Sequence, residues 1–491
     1  FWEWLTLCSL NVKSEAKAGV VIRNPDLGAY IKHLELRPSS WVFTDPIGLK
    51  WLPNNLWACD YSRQTIYDRF RLQWMDWNHI RKSFQIFRIS RNSVQTAINV
   101  VPLLPNLLKL TVNMNFYREP RPNPEYYRKL WSGLRASQLR CLCLTFWAGT
   151  AVHALADAIR FGSLPSPACA FEQLEKLDLN VMTTPGGYQV VDDFANDIRT
   201  ILDLGRSSIR SLRISYYSTI LGDWIQPYLE AFFDSLGVFP RLKHLDYKTA
   251  GDYNYEGFKR FLTQHRSTLV RLRLTGGQKH LIPFTVFNPQ ATWLGSEFKA
   301  DSDTVPFKFT HLAFIDEEGY TTPPPVTIGL SRFADTLTTL VLSEIGWGHI
   351  GGYGYSYQDI EFLIRSLVRR PPRNSVLLER LCLSVAAMSP ELFDLMATYL
   401  VNLRDLELKY AMLVAYKDQT EADKSGIIFE KRMKEREYSE WGLQSIHIAS
   451  PDEKGPYFNG KLMGVLAECI PSIQKRGLID WSDVSIDFGS Y

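Results

Sequence analysis

The feature that most constrains this chain is a hexamer that keeps returning: Leu174-Glu175-Lys176-Leu177-Asp178-Leu179, apolar at its first, fourth and sixth places. Copies begin at Ile31, Phe84, Leu107, Leu139, Ile209, Leu242, Leu269, Phe309, Leu337, Leu378, Leu403 and Leu443, with a frayed one at Trp481. In a chain that is 45% hydrophobic such a pattern also arises by accident, so spacing decides the matter. From Leu107 to Leu443 consecutive copies start 25 to 41 residues apart, and most carry polar residues at places two, three and five. A unit repeated in this way implies a stack in which each repeat buries its face against its neighbours.

Alternation within the hexamer sends the fourth and sixth residues into a core and the third, fifth and following residues to the opposite face of a strand. Amphipathic helices are expected between the strands at Pro124 to Arg135, Ala151 to Phe161, Asp192 to Leu204, Trp224 to Leu236, Glu256 to His265, Gln358 to Arg369, Pro390 to Leu400, Ser425 to Glu437 and Lys461 to Ile473. Short strands alternating with helices demand parallel pairing and right-handed crossovers. The expected fold is therefore an α/β leucine-rich-repeat solenoid, with a curved parallel β-sheet on the concave side and helices on the convex side. Residues 1–30 read as a helical lead-in and residues 31–491 as one irregular array without a hinge, in which the Trp-rich stretch 41–83, with a helix over about 63 to 80, is a capping insertion.

A net charge of +3 over 491 residues creates no general field to draw nucleic acid or an acidic membrane. Seven cysteines, an odd number without bridging intervals, fit reduced thiols in an intracellular protein, in the cytoplasm or nucleus. No Asn-x-Ser/Thr sequon occurs and no apolar run reaches the length of a membrane span. The opening FWEWLTLCSL lacks a basic leader and a small-residue cleavage site, and its Phe1 suggests a start trimmed from a longer protein.

The run RNPDLGAYIKHLEL, residues 23–36, leads straight into the irregular repeats and resembles the start of the repeat region in fungal F-box proteins. The resemblance implies that the repeats select a substrate for a cullin-RING ubiquitin ligase. It also implies that a Skp-type adaptor would bind a short helical F-box. No F-box is recognisable here, and residues 1–13 could supply at most its last turn, so adaptor binding depends on sequence upstream of Phe1. The repeats also lack the regular Asn that many leucine-rich families place after the strand.

Two sets of residues suggest a surface for a protein substrate or peptide. Arg213, His244, Lys248, Arg271 and Arg273 fall on the expected concave face, where Arg forks suit carboxylates and phosphates. Tyr216, Tyr217, Trp347, Tyr353 and Tyr355 belong to an aromatic rim expected in the loops that follow strands. The bland readings are a solvated sheet face whose opposite charges pair between strands, and aromatics that pack on the solenoid's end.

Gly346-Trp347-Gly348-His349-Ile350-Gly351 spells G-x-G-x-x-G, which would serve a nucleotide-binding enzyme. It sits in an over-long loop with no acidic residue at the end of a following strand, so a mobile binding loop is the better reading. Cys141 and Cys143 share a strand face, but no second Cys or His pair follows to complete a metal site. No catalytic residues, metal or cofactor are expected, and the leading reading is a non-enzymatic recognition scaffold. Its alternative within that class is a repeat adaptor unconnected to ubiquitin.

Overall fold

A computed structural model describes residues 3–8, 12–37, 99–114, 138–147, 171–183, 191–203, 205–218, 232–234, 236–249, 256–276, 307–316, 333–344, 354–368, 376–419, 426–449 and 456–473, together with 96, 133–134, 156–157, 330 and 423. The chain divides into two compact units, Phe1–Leu242 and Lys243–Tyr491.

In the first unit the strands are β1 (Trp4–Cys8), β2 (His33–Arg37), β3 (Lys109–Met114), β4 (Cys141–Trp147), β5 (Lys176–Thr183) and β6 (Ser211–Ser218). They pair in parallel and in chain order. Between them come α1 (Val12–Arg23) and α2 (Val191–Asp203). In the second unit β7 (His244–Thr249), β8 (Arg271–Gly276), β9 (His311–Asp316), β10 (Thr339–Glu344), β11 (Arg380–Met388), β12 (Asp405–Leu413) and β13 (Ser445–Ala449) pair in the same way. Its helices are α3 (Glu256–Gln264), α4 (Tyr357–Leu367), α5 (Pro390–Tyr399), α6 (Ile427–Lys434) and α7 (Pro456–Cys469).

From β2 onward each strand starts at the third place of its hexamer, and the three apolar places are buried in every rung, as Leu174, Leu177 and Leu179 are in β5. Helices close the core with residues spaced three and four apart, such as Ile198, Ile201 and Leu202 on α2 or Ile360, Leu363, Ile364 and Leu367 on α4. The start of α4 is fixed by a capping box: Ser356 Oγ accepts from the Asp359 N–H at 3.2 Å, while Asp359 Oδ2 accepts from the Ser356 N–H at 3.0 Å.

One backbone device recurs at the rung mouths within each unit. The carbonyl of the second-place residue accepts the N–H groups of the second and third places of the next rung. Lys32 takes Leu108 and Lys109, Arg140 takes Glu175 and Lys176, and Glu379 takes Arg404 and Asp405. These bonds satisfy backbone groups at the point where a turn becomes a strand, which otherwise would be buried unpaired.

The same device corrects the reading of the first residues. Glu3 O accepts from Lys32 N–H at 3.1 Å and His33 N–H at 2.9 Å, and β1 pairs with β2 over five residues, Trp4 to Cys8. Residues 4–8 are thus a rung of the stack and not the tail of a helix; the helix, α1, follows. The sequence carried the signal in WEWLTL, apolar at Trp2, Leu5 and Leu7. The lead-in RNPDLGAY forms a 3-10 helix, Pro25–Tyr30, that packs on the turn at Val101–Leu103. A Cβ on Gly28 would collide with the Leu103 carbonyl oxygen, so only glycine allows that approach.

The hexamer at Phe84, the stretch 41–83 and the frayed copy at Trp481 lie outside the described residues; β2 pairs directly with β3. Of the expected helices, those within 192–204, 256–265, 358–369 and 390–400 fall within a residue or two of the observed bounds, whereas α7 begins five residues earlier, at Pro456.

Candidate recognition surface

On the first unit the sheet face opposite the core presents two rows. The third-place row reads Trp4, His33, Lys109, Cys141, Lys176, Ser211 from β1 to β6, in register. The fifth-place row reads Glu35, Thr111, Cys143, Asp178, Arg213 from β2 to β6 in the same register. Trp4 is 55% exposed, stacks on the His33 ring at 4.5 Å and 16°, and lies 5.6 Å from the Lys109 ammonium. Burial, with Lys109 alongside, lowers the His33 pKa and keeps the imidazole neutral at neutral pH. The Cys143 thiol is pushed up to about 12 by burial and the carboxylate of Asp178, so it is neutral too.

Arg213 Nη1 lies 3.6 Å from Asp178 Oδ2, its register partner on β5. On the second unit Arg273 Nη1 lies 3.9 Å from Asp246 Oδ2 on β7. Arg213 and Arg273, two of the three candidate arginines, therefore stand in mixed-sign ladders between neighbouring strands, the arrangement the bland reading described. His244, Lys248 and Arg271 occupy the same face of β7 and β8 and are half-buried.

Farther along the second unit this face changes character. Ile315, Val341 and Cys382, from β9, β10 and β11, are 6%, 3% and 2% exposed and form a small apolar cluster with Ala313. Lys409 on β12, 6% exposed, reaches past β11 to donate to Ser343 Oγ on β10 at 2.9 Å. Burial, then Glu407, pushes the Cys382 thiol up to about 12. The signal for this patch was present in the hexamers: the fifth places of β9, β10 and β11 are Ala313, Val341 and Cys382, where most other rungs carry polar or charged residues.

The aromatic rim is redrawn. Tyr216 and Tyr217 belong to β6 itself, because the strand outlasts its hexamer by several residues. Tyr355 forms a β-bridge to Val385 and is 4% exposed, so it offers no contact surface. Gly354 beside it has no room for a Cβ, which would stand 2.5 Å from the Ala386 nitrogen. Trp347, Tyr353 and the Gly346–Gly351 motif lie outside the described residues. Trp4, on this face, is an exposed aromatic that the hexamer pattern did not single out.

Among the described residues no helix is long and apolar enough to cross a membrane, and no group of three or more His, Cys, Asp or Glu side chains is placed to hold a metal ion.

Parallel strands in chain order, each entered through the same hexamer, with helices in the connections, define an α/β leucine-rich-repeat solenoid. No protein-family model matches the chain, and no curated protein matches it. Among solved structures it is similar to the crystal structure of a TLR13–ssRNA13 complex, at 13% identity and a TM-score of 0.27, with 87% of this chain and 52% of that chain covered. The chain thus spans about half the length of that structure's chain. The assignment of the fold rests on the strand register and the repeated hexamer.

Proposed function

We propose that this chain is a non-enzymatic recognition scaffold that holds a protein partner against the sheet face opposite its core. The observation that carries this reading is the pair of in-register rows on the first unit, where charged, polar and aromatic side chains stand on neighbouring strands with partly exposed heads. A rigid sheet fixes such groups at set spacings, which is what selective recognition requires. Contacts on the first unit centre on Arg213, with Tyr216 and Tyr217 on the same strand. On the second unit they centre on His244, Lys248, Arg271 and Arg273.

Affinity capture with the full chain as bait, followed by crosslink mapping of the captured protein, tests the reading. Crosslinks are expected on the strands, and for a partner held by the second unit Arg271→Ala should weaken binding by about 1–3 kcal/mol, the scale of a hydrogen bond to a charged group. Crosslinks confined to the helices would overturn it.

The finer reading is the substrate-receptor part of an F-box-type ubiquitin ligase. The run RNPDLGAYIKHLEL favours it. Because β1 already belongs to the stack, residues 4–8 supply no turn of an F-box, and that element would have to precede Phe1. Co-purification of a Skp-type adaptor with the protein expressed from its complete gene supports this reading, and a complete gene without an F-box removes it while leaving the scaffold intact.

A further inference from the structure

Within the first unit, Trp4, Lys109 and Lys176 take the third place of β1, β3 and β5, so each stands two strands from the next. Neighbouring strands lie about 4.8 Å apart, which puts the two lysines about 9.6 Å apart at the backbone with Cys141 between them. Among the described residues neither lysine has a carboxylate within ion-pair distance; the acids of this face, Glu35 and Asp178, stand in the fifth-place row. Trp4 is 55% exposed, with the Lys109 ammonium 5.6 Å from its ring. A group that reaches Lys109 therefore brings its neighbours against the indole.

We propose that this row docks an acidic segment of a protein partner in the polyproline II conformation, with carboxylates three residues apart on Lys109 and Lys176 and an apolar or aromatic side chain against Trp4. The spacing selects the conformation. One turn of polyproline II advances about 9.3 Å in three residues and returns side chains to the same side. A β-strand returns them every two residues, at about 6.7 Å or 13.4 Å, and matches neither. The alternation of rows selects the partner class. A nucleic-acid strand lays charge continuously along its path and would face Glu35 and Asp178, whereas a peptide with two isolated carboxylates avoids them. The proposal rests on the recognition reading above and names the partner's chemistry.

The test uses the full chain and fluorescein-labelled proline-rich peptides. Each ends in a phenylalanine and carries two glutamates, three residues apart in one peptide and two apart in the other, with an oligothymidylate as a third probe. Anisotropy titration should give saturable binding of the three-apart peptide, about tenfold weaker in Lys109→Glu and in Lys176→Glu, as loss of a charge-assisted contact implies. Added salt should weaken it further, Trp4→Ala should weaken it as well, and Glu35→Gln should leave it unchanged or tighter. Thermal melts establish that each variant is folded, and Lys176→Ala replaces Lys176→Glu if the reversal melts early. Equal affinity for both spacings, indifference to both lysine variants, or binding of oligothymidylate in place of the peptides would overturn the proposal. A captured partner that crosslinks to β3–β6 yet binds both lysine variants unchanged defeats this row and leaves the scaffold reading standing.

Discussion

His311 shows how a single side chain on this sheet couples folding to pH. It sits at the third place of β9, half-buried, with its Nδ1 2.7 Å from Thr310 Oγ1. Burial comes first, then Arg271, His244 and Arg380, in holding its pKa down at about 4. An unfolded chain titrates the same imidazole near about 6.5. Between these values the unfolded state binds the proton and the folded state does not, so stability falls as pH drops from about 6.5 towards 4 and is retained above that window. His265 on the far side of the core works in the same direction, its pKa lowered by burial against a weaker opposing hydrogen bond to the Phe261 carbonyl. The expected outcome is a lower urea midpoint at pH 5 than at pH 7, with a shallower drop in His311→Gln. An unchanged drop in that variant would assign the pH sensitivity elsewhere.

At the scale of elements, α5 is tied to the end of α6 by two carboxylates. Asp394 on α5 accepts from Arg436 Nε, 3.0 Å from both of its oxygens, and from the Tyr438 hydroxyl at 2.6 Å, just past the end of α6. Glu391, one turn earlier, faces Arg432 at 3.2 Å and Arg436 at 3.7 Å. With Arg436 only 16% exposed, removing the Asp394 charge leaves a guanidinium poorly compensated in a half-dry place. Asp394→Asn should cost about 1–3 kcal/mol in a thermal or urea melt, whereas neutralising the exposed partner in the Arg365–Glu361 pair should cost about 0.5 kcal/mol or less. None of this was visible in the sequence, because it depends on which faces of two helices meet. The strands were legible: three apolar places in a fixed register leave a strand one way to face the core. Beyond that register, legibility failed in two ways. Strand length misplaced Tyr216 and Tyr217, and β1 was hidden because WEWLTL opens on bulky residues and stands before a helix. The ladder from Asp178 to Arg213 could have been read, since both occupy the fifth place of consecutive rungs and parallel register puts equal places side by side.

Over the whole molecule, stability is built from rung-to-neighbour contacts and not from one central core, so damage should stay local. Leu142 on β4 is 1% exposed, and its replacement by alanine should cost about 2–5 kcal/mol. Hydrogen exchange on Leu142→Ala is expected to quicken for the amides of β3, β4 and β5 while those of β11 and β12, in the other unit, keep their wild-type protection. Uniform acceleration through both units would mean that the chain opens as one cooperative body.

The recurring carbonyl that accepts two N–H groups at rung mouths within each unit makes a grammar out of backbone atoms alone. It fits Glu3, Lys32, Arg140 and Thr338 equally well, because no side chain takes part. What it forbids is a proline at the second or third place of the rung whose N–H groups donate, and among the donating pairs from Lys32-His33 to Gln444-Ser445 there is none. Duplication or loss of a whole rung within a unit would therefore preserve the junction, provided the new copy carried no proline at those two places. Such an array is free to drift in sequence until its kinship is no longer spelled in its residues, while the same two bonds go on being made at every turn.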